Sequence, residues 1–410
     1  MERGTAFAPL RVANFRWYFA ALTVNLTGSM MSGVAVAFAV LEMENSPSVL
    51  GVVLAAETIP MVLLLLFGGV VADRLPRVLV LRAGNVIMGL ARGAFALLVI
   101  TDTAELWMLI LLQVVVGSCQ AVIQPALAGL MPQLVPRDVL QQANVLQSMV
   151  RGGLRVLGPT VAALLVVTVG AGWAVAVDAI TWLLAAAMLV RVKLPPRERD
   201  RDTESTLTEL REGWSLFVGT TWLWVIVLVF GVLNAIHIGA LFTLGPVVAK
   251  DTIGEQGWGL MLSAESVGLL AMTVVLLRFR LERPLLLGML GCSLLSVPIV
   301  MLGADPRLVA LVLAAFVGGA GLEVFSLGWS LAMQENVEER MLSRAYSYDM
   351  LGSFVAIPIG QLAFGPLGEA FGYSDVLVIS GVVYAVVALS ALLSPSVRNL
   401  RRARSPQSTQ

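Results

Sequence analysis

The run Ser-Leu-Phe-Val-Gly-Thr-Thr-Trp-Leu-Trp-Val-Ile-Val-Leu-Val-Phe-Gly-Val-Leu-Asn-Ala-Ile-His-Ile-Gly-Ala-Leu-Phe-Thr-Leu-Gly-Pro-Val-Val, residues 215–248, contains no Lys, Arg, Asp or Glu. Residues 376–397 are equally free of them. About 18 apolar residues in a helix cross the ~30 Å hydrocarbon layer of a bilayer. Inside that layer every backbone N–H and C=O must be satisfied within the chain. Long Leu/Ala/Val/Gly runs therefore read as helices, not barrel strands. The whole chain follows suit: 410 residues, 58% hydrophobic and only 13% charged, where a soluble protein carries about 25% charge.

Reading outward from that run, twelve spans are predicted, at 17–41, 50–72, 79–101, 106–130, 142–167, 172–190, 218–248, 257–277, 284–303, 308–332, 342–367 and 374–394. Residues 1–16 are polar and basic, and the apolar segment after them is expected to stay as a span, not to be cleaved as a signal peptide. Residues 191–217 are charged and carry Pro195-Pro196. They read as a cytoplasmic linker between a six-helix bundle at 17–190 and a second at 218–394, with residues 395–410 as a cytoplasmic tail. Leu207, Leu210, Trp214 and Phe217 stand at helical spacing, which predicts a short amphipathic helix at the membrane surface.

Orientation follows from Lys and Arg. With the N-terminus inside, 22 of the 27 basic residues fall in inside segments, and only Lys250 and Arg307 fall outside. Arg92, Arg151 and Arg155 lie within spans. This asymmetry predicts cytoplasmic termini at both ends. Net charge is zero, so nothing points to nucleic acid. Cys119 and Cys292 sit in separate apolar runs, and the chain has one His. Neither a disulfide framework, a metal site nor a cofactor site is expected. No phosphate-cradling Gly-x-x-x-x-Gly-Lys loop occurs, which excludes ATP as the energy source of this chain, and no catalytic triad is assembled around His237.

The halves repeat. Gly51-Val52-Val53-Leu54-Ala55-Ala56-Glu57-Thr58 in the second span matches Gly259-Leu260-Met261-Leu262-Ser263-Ala264-Glu265-Ser266 in the eighth. Met131, Val135, Leu140, Ala143 and Gly158 match Met333, Val337, Leu342, Ala345 and Gly360. A parallel repeat of this kind fits a secondary transporter built from two six-helix halves.

Gly69-Val70-Val71-Ala72-Asp73-Arg74-Leu75-Pro76-Arg77, between spans two and three, resembles the signature loop of the major facilitator superfamily. With twelve spans and a central linker, the resemblance covers the whole chain. It implies an all-α membrane protein of the major facilitator fold, in the plasma (inner) membrane, carrying a small-molecule cargo as a monomer. It also implies that the Asp73 loop latches the halves in an outward-open state; the plain reading of its arginines is a positive-inside anchor. The corresponding Arg278-Phe279-Arg280-Leu281-Glu282-Arg283 has lost the pattern. Gly158-Pro159-Thr160-Val161-Ala162-Ala163 in span five is similar to the antiporter signature of drug exporters, with alanines in place of a glycine pair; a simple helix kink is the other reading. Where those exporters carry an Arg in span four, this chain has Gln113 before Gly117. Leu10-Arg11-Val12-Ala13-Asn14-Phe15-Arg16, Leu134-Val135-Pro136-Arg137-Asp138 and Val177-Asp178-Ala179-Ile180-Thr181 resemble the macrolide-efflux and enterobactin-exporter branch. That likeness implies export of amphipathic molecules, with protons as the coupling partner. An uptake symporter on the same fold and a non-transporting membrane receptor are the rival readings.

Ionisable residues within spans are costly and mark sites or permanent ion pairs. Rise per residue puts Glu57 and Glu265 roughly 12 Å below the outer face, with Asp178 at similar depth. Arg151 and Arg155 share one face of span five, Arg92 lies in the outer half of span three, Glu323 near the middle of span ten and Asp349 in the inner half of span eleven. Arg151 or Arg155 is the expected partner of Glu57, on the premise that spans two and five are neighbours. Proton coupling and a structural ion pair both remain open for the pair. Asn25, Gln113 and Asn234 are candidates for lining the cargo path or, equally, for helix packing. His237, near the outer end of span seven, reads as a water-facing helix-end residue or a proton relay.

Overall fold

The computed structural model describes residues 7–128, 130–136, 139–193, 214–276, 278–279 and 281–401, with the backbone alone at 65–74, 125, 128, 132, 140, 141, 145, 339, 340, 343, 344 and 347. Twelve helices among them are long and apolar enough to cross a membrane. They are α1 (Ala13–Met43), α2 (Pro47–Arg74), α3 (Arg77–Ile100), α4 (Leu106–Ala128), α5 (Leu140–Val169) and α6 (Ala171–Leu189). The second set is α7 (Thr221–Asp251), α8 (Gly254–Leu276), α9 (Pro284–Ala304), α10 (Leu308–Asn336), α11 (Glu339–Phe371) and α12 (Tyr373–Ser390). Most of the linker, 194–213, and the ends at 1–6 and 402–410 lie outside the described residues. Of the expected amphipathic helix only its end is described: residues 214–219 are helical, Phe217 stacks on Tyr348 of α11, and Trp214 meets that ring at a tilt.

The chain forms two compact units, Met1–Arg199 and Asp200–Gln410. In the first, α2 runs along α4, and α1 and α3 both pack on α6, while α5 lies against α1. In the second, α8 runs along α10, α9 packs on α10 and α12, and α7 lies against α11. The pairings are equivalent, so the sequence repeat is also a repeat of packing.

Small residues set the helix spacing. A Cβ at Gly117 of α4 would overlap the Glu57 carbonyl of α2, and one at Gly319 of α10 would overlap the Glu265 carbonyl of α8. Hydroxyls within spans turn back on their own helix. Thr23 donates to the Phe19 carbonyl at 2.8 Å and Ser118 to Val114 at 2.7 Å, which satisfies each group without water. Leu63, Leu90, Leu97, Val274 and Val309 are exposed, as lipid-facing side chains are. Helix α7 widens into a π segment over Ile238–Leu244, just ahead of Pro246. Proline has no N–H to donate and its ring crowds the carbonyl four residues back, so the turn before it opens.

Candidate functional site

The first unit buries an ionic cluster built from four helices. Glu57 comes from α2, Arg92 from α3, Gln113 and Gln120 from α4, and Asp178 from α6. Gly117, between the two glutamines, lets α4 approach α2 closely enough for both amides to reach one carboxylate. Gln113 and Gln120 are seven residues apart, two turns along one face.

The contacts interlock. Arg92 Nη2 donates to Glu57 Oε2 at 3.1 Å, and Arg92 Nη1 donates to Gln113 Oε1 at 2.9 Å. Gln113 Nε2 donates to Glu57 Oε2 at 2.8 Å, and Gln120 Nε2 to Glu57 Oε1 at 2.7 Å. On its other side Arg92 Nε lies 3.5 Å from Asp178 Oδ2. Beside Arg92, the polar groups that act on Asp178 are the Ser32 hydroxyl and the Trp182 indole N–H. The side chains of Arg92 and Asp178 are 5% and 1% exposed, whereas Glu57 is 22% exposed. Gly28 of α1 packs over Asp178 so tightly that a Cβ there would come within 2.7 Å of its Oδ1. One guanidinium therefore serves two carboxylates in a setting that excludes water, and Glu57 is the member that retains access.

This geometry corrects the expected pairing. The partner of Glu57 is Arg92, not Arg151 or Arg155. The physical reason is helix order: α2 packs on α4, with α3 alongside, while α5 lies against α1. Arg151 and Arg155 are exposed on α5. With its amide oriented to accept, Gln147 takes Arg151 Nη2 at 2.8 Å. Gln113 is fully buried in the cluster and lines no open path. Gln120 was missed by the sequence reading, although its spacing from Gln113 was the available signal.

The remaining candidates are placed as follows. Asn25 Nδ2 donates to Asn85 Oδ1 at 3.4 Å, a packing bond between α1 and α3. Asn234 Nδ2 donates to the Ser353 carbonyl at 3.3 Å, joining α7 to α11. Glu265 lies within electrostatic reach of Tyr384, whose hydroxyl is 3.3 Å from Cys292 Sγ. Glu323 accepts from Thr273 Oγ1 at 2.8 Å. Asp349 accepts from Trp329 Nε1 at 2.9 Å and from Ser353 Oγ at 3.3 Å. His237 packs edge-on against Phe242. In the second unit the position equivalent to Gln113 is Ala315 and that of Gln120 is Leu322, so α10 does not repeat the two amides of α4. The side chains of Gly69, Asp73 and Arg74 lie outside the described residues; Arg77 begins α3. Gly158 sits where α5 crosses α1, with a Cβ there meeting Met30 at 2.7 Å, and Pro159 follows inside the unbroken helix.

Comparison with known proteins agrees with this architecture. The profile of the family described as transmembrane secretion effector matches residues 4–408. The chain is 23% identical over 400 residues to YfiS, an MFS-type transporter of Bacillus subtilis (strain 168), with 93% of each chain covered. It is 21% identical over 399 residues to macrolide efflux protein A of Streptococcus pyogenes, covering 94% of this chain and 97% of that one. Among solved structures, the nucleoside transporter NupG superposes with a TM-score of 0.74 at 14% identity, over 93% of this chain and 98% of that one. A D-xylose-proton symporter does so with a TM-score of 0.71 at 14% identity, over 94% and 99%. At that identity the solved structures speak for the fold alone. The twelve apolar helices, their repeated packing and the match along nearly the whole chain converge on one conclusion: the protein belongs to the transmembrane secretion effector family, and is a multi-pass membrane transporter of the major facilitator type, not an enzyme.

Proposed function

We propose that this transporter exports small amphipathic molecules from the cytoplasm across the inner membrane and is driven by inward proton flow, with Glu57 as the exchanging acid. The observation that carries this reading is Arg92 shared between Glu57 and Asp178. Two ionised carboxylates on one guanidinium leave a net negative charge within the bilayer, which a low-dielectric setting opposes. A proton on one acid balances it. Glu57 is the more accessible of the two, and its three donors all hold the ionised carboxylate, so taking up the proton breaks part of the clamp. The outward direction draws on the likeness to macrolide efflux protein A and on Gly158-Pro159 in α5. The cluster is assembled within one six-helix unit, and the monomer is the proposed working unit.

The test is cargo flux in proteoliposomes with an imposed pH gradient, using a panel of dyes, macrolides and siderophores. Cargo is expected to move against the proton flow. Glu57→Gln is expected to abolish gradient-driven flux while cargo binding persists. Normal gradient-driven flux in Glu57→Gln would remove it from the mechanism, and cargo moving with the protons would make the protein a symporter.

A further inference from the structure

Helix α5 carries a polar stripe. Asn144, Ser148, Arg151 and Arg155 recur at intervals of four, three and four residues, so they share one face of the helix. All four are exposed. The exposed Met149, Leu157 and Leu164 stand on the opposite side, and that side suits lipid. Arg151 and Arg155 lie about 17 and 23 Å along a helix about 44 Å long, too deep to act as loop anchors of the positive-inside kind. Among the described residues no acid is paired with either. Helix α5 has no Asp or Glu, α1 beside it has only Glu42 in its last turn, and Asp178 of α6 is taken by Arg92. Arg151 bonds to the neutral Gln147 amide and lies within electrostatic reach of the buried Tyr18 of α1. Neither contact balances its charge.

We infer that the Arg151–Arg155 face of α5 is a subsite for the negatively charged group of an amphipathic organic anion, a carboxylate or a similar oxyanion. A guanidinium keeps its charge in the bilayer and is costly there without an anion or water beside it, so this face does not look onto lipid. Two guanidiniums one turn apart offer N–H forks that match the paired oxygens of a carboxylate. A structural arginine brings its own acid, as Arg92 does with Glu57 and Asp178; these two do not. Nor does the packing of the helix call for them. At the offset that relates Gly158 to Gly360, the equivalent residues of α11 are Ser353 and Ile357. This inference rests on the reading of the protein as a carrier of amphipathic molecules and specifies their charge.

The experiment measures equilibrium binding to the purified full-length protein in a nonionic detergent. No gradient is imposed, so it is independent of direction and of proton coupling. The probes are pyrenebutyrate and its uncharged amide, which share one apolar body and differ at the carboxylate. Wild type is expected to prefer the carboxylate. The double variant Arg151→Gln/Arg155→Gln is expected to lose about tenfold or more in carboxylate affinity. Its amide binding is expected to hold, which also shows that the variant is folded. Arg151→Lys/Arg155→Lys is expected to keep part of the preference, through charge without the planar fork. Neither sulfate at matched ionic strength nor phosphatidylglycerol is expected to displace pyrenebutyrate. Displacement by sulfate would make this a small-anion site, and displacement by phosphatidylglycerol a lipid headgroup site; either overturns the inference. So do unchanged carboxylate binding in the double Gln variant and equal loss of both probes. A wild type that transports uncharged cargo without preferring the carboxylate overturns the subsite alone. Arginine-dependent pyrenebutyrate binding without gradient-driven flux sustains the subsite and sinks the transport reading.

Discussion

Arg92 cannot shed its charge in a membrane, so its acceptors decide whether the first unit is stable. It has Glu57 and Gln113 on its two terminal nitrogens and Asp178 beside Nε. Removing it strands the buried Asp178 and leaves Glu57 with only its two amides. Arg92→Gln is therefore expected to cost about 3–5 kcal/mol of stability, as breaking a buried ion pair does. Glu57→Gln leaves Arg92 with Asp178 and is expected to be milder. Arg151→Gln and Arg155→Gln remove exposed charges on α5 and are expected to leave thermal unfolding nearly unchanged. Unfolding curves of the four variants in one detergent check the order. An Arg92→Gln protein as stable as wild type would mean that the cluster does not hold the unit together.

At the scale of helices, paired glycines show what the repeat is for. Gly158 admits α1 to α5 at Met30, and its counterpart Gly360 admits α7 to α11 at Ala235. Gly117 and Gly319 do the same for α2 with α4 and α8 with α10. Gly170 and Gly372 are single-residue junctions with φ of 95° and 89°, a region open to glycine and costly for other residues. Each reverses the chain between adjoining helices. Adding a side chain where a backbone carbonyl already stands pushes two helices apart. Gly117→Val is thus expected to lower the unfolding temperature and to disturb the Glu57 amide clamp on both sides of it. Gly153→Ala, on α5 with nothing within 4 Å of the added Cβ, is expected to be neutral or to add up to about 1 kcal/mol. A thermal shift comparison of the two separates close packing from general intolerance of glycine replacement; equal effects would contradict it.

For the whole molecule, the basic residues predict cytoplasmic termini at both ends. A reporter fused to either terminus is expected to be cytoplasmic. A cysteine placed at 42–48, with Cys119 and Cys292 replaced by Ser, is expected to react with an impermeant label from outside. A periplasmic terminus would overturn the proposed orientation. The sequence by itself determined the twelve spans and the repeat, because each span closes its own backbone hydrogen bonds and so shows as an apolar run whatever its neighbours. It also predicts a depth for each charged residue, since depth follows from rise per residue. Only the tertiary structure decided which charges meet. Depth alone left Arg92, Arg151 and Arg155 as rivals for Glu57, and the choice lay in which helix stands beside α2 and which way each side chain turns. Asp178 is 86 positions from Arg92 in the chain and 3.5 Å from it in space, and Gln120 joins them because Gly117 lets α4 close on α2. Those contacts are set by helix packing about the membrane normal, a coordinate that hydropathy and spacing do not carry.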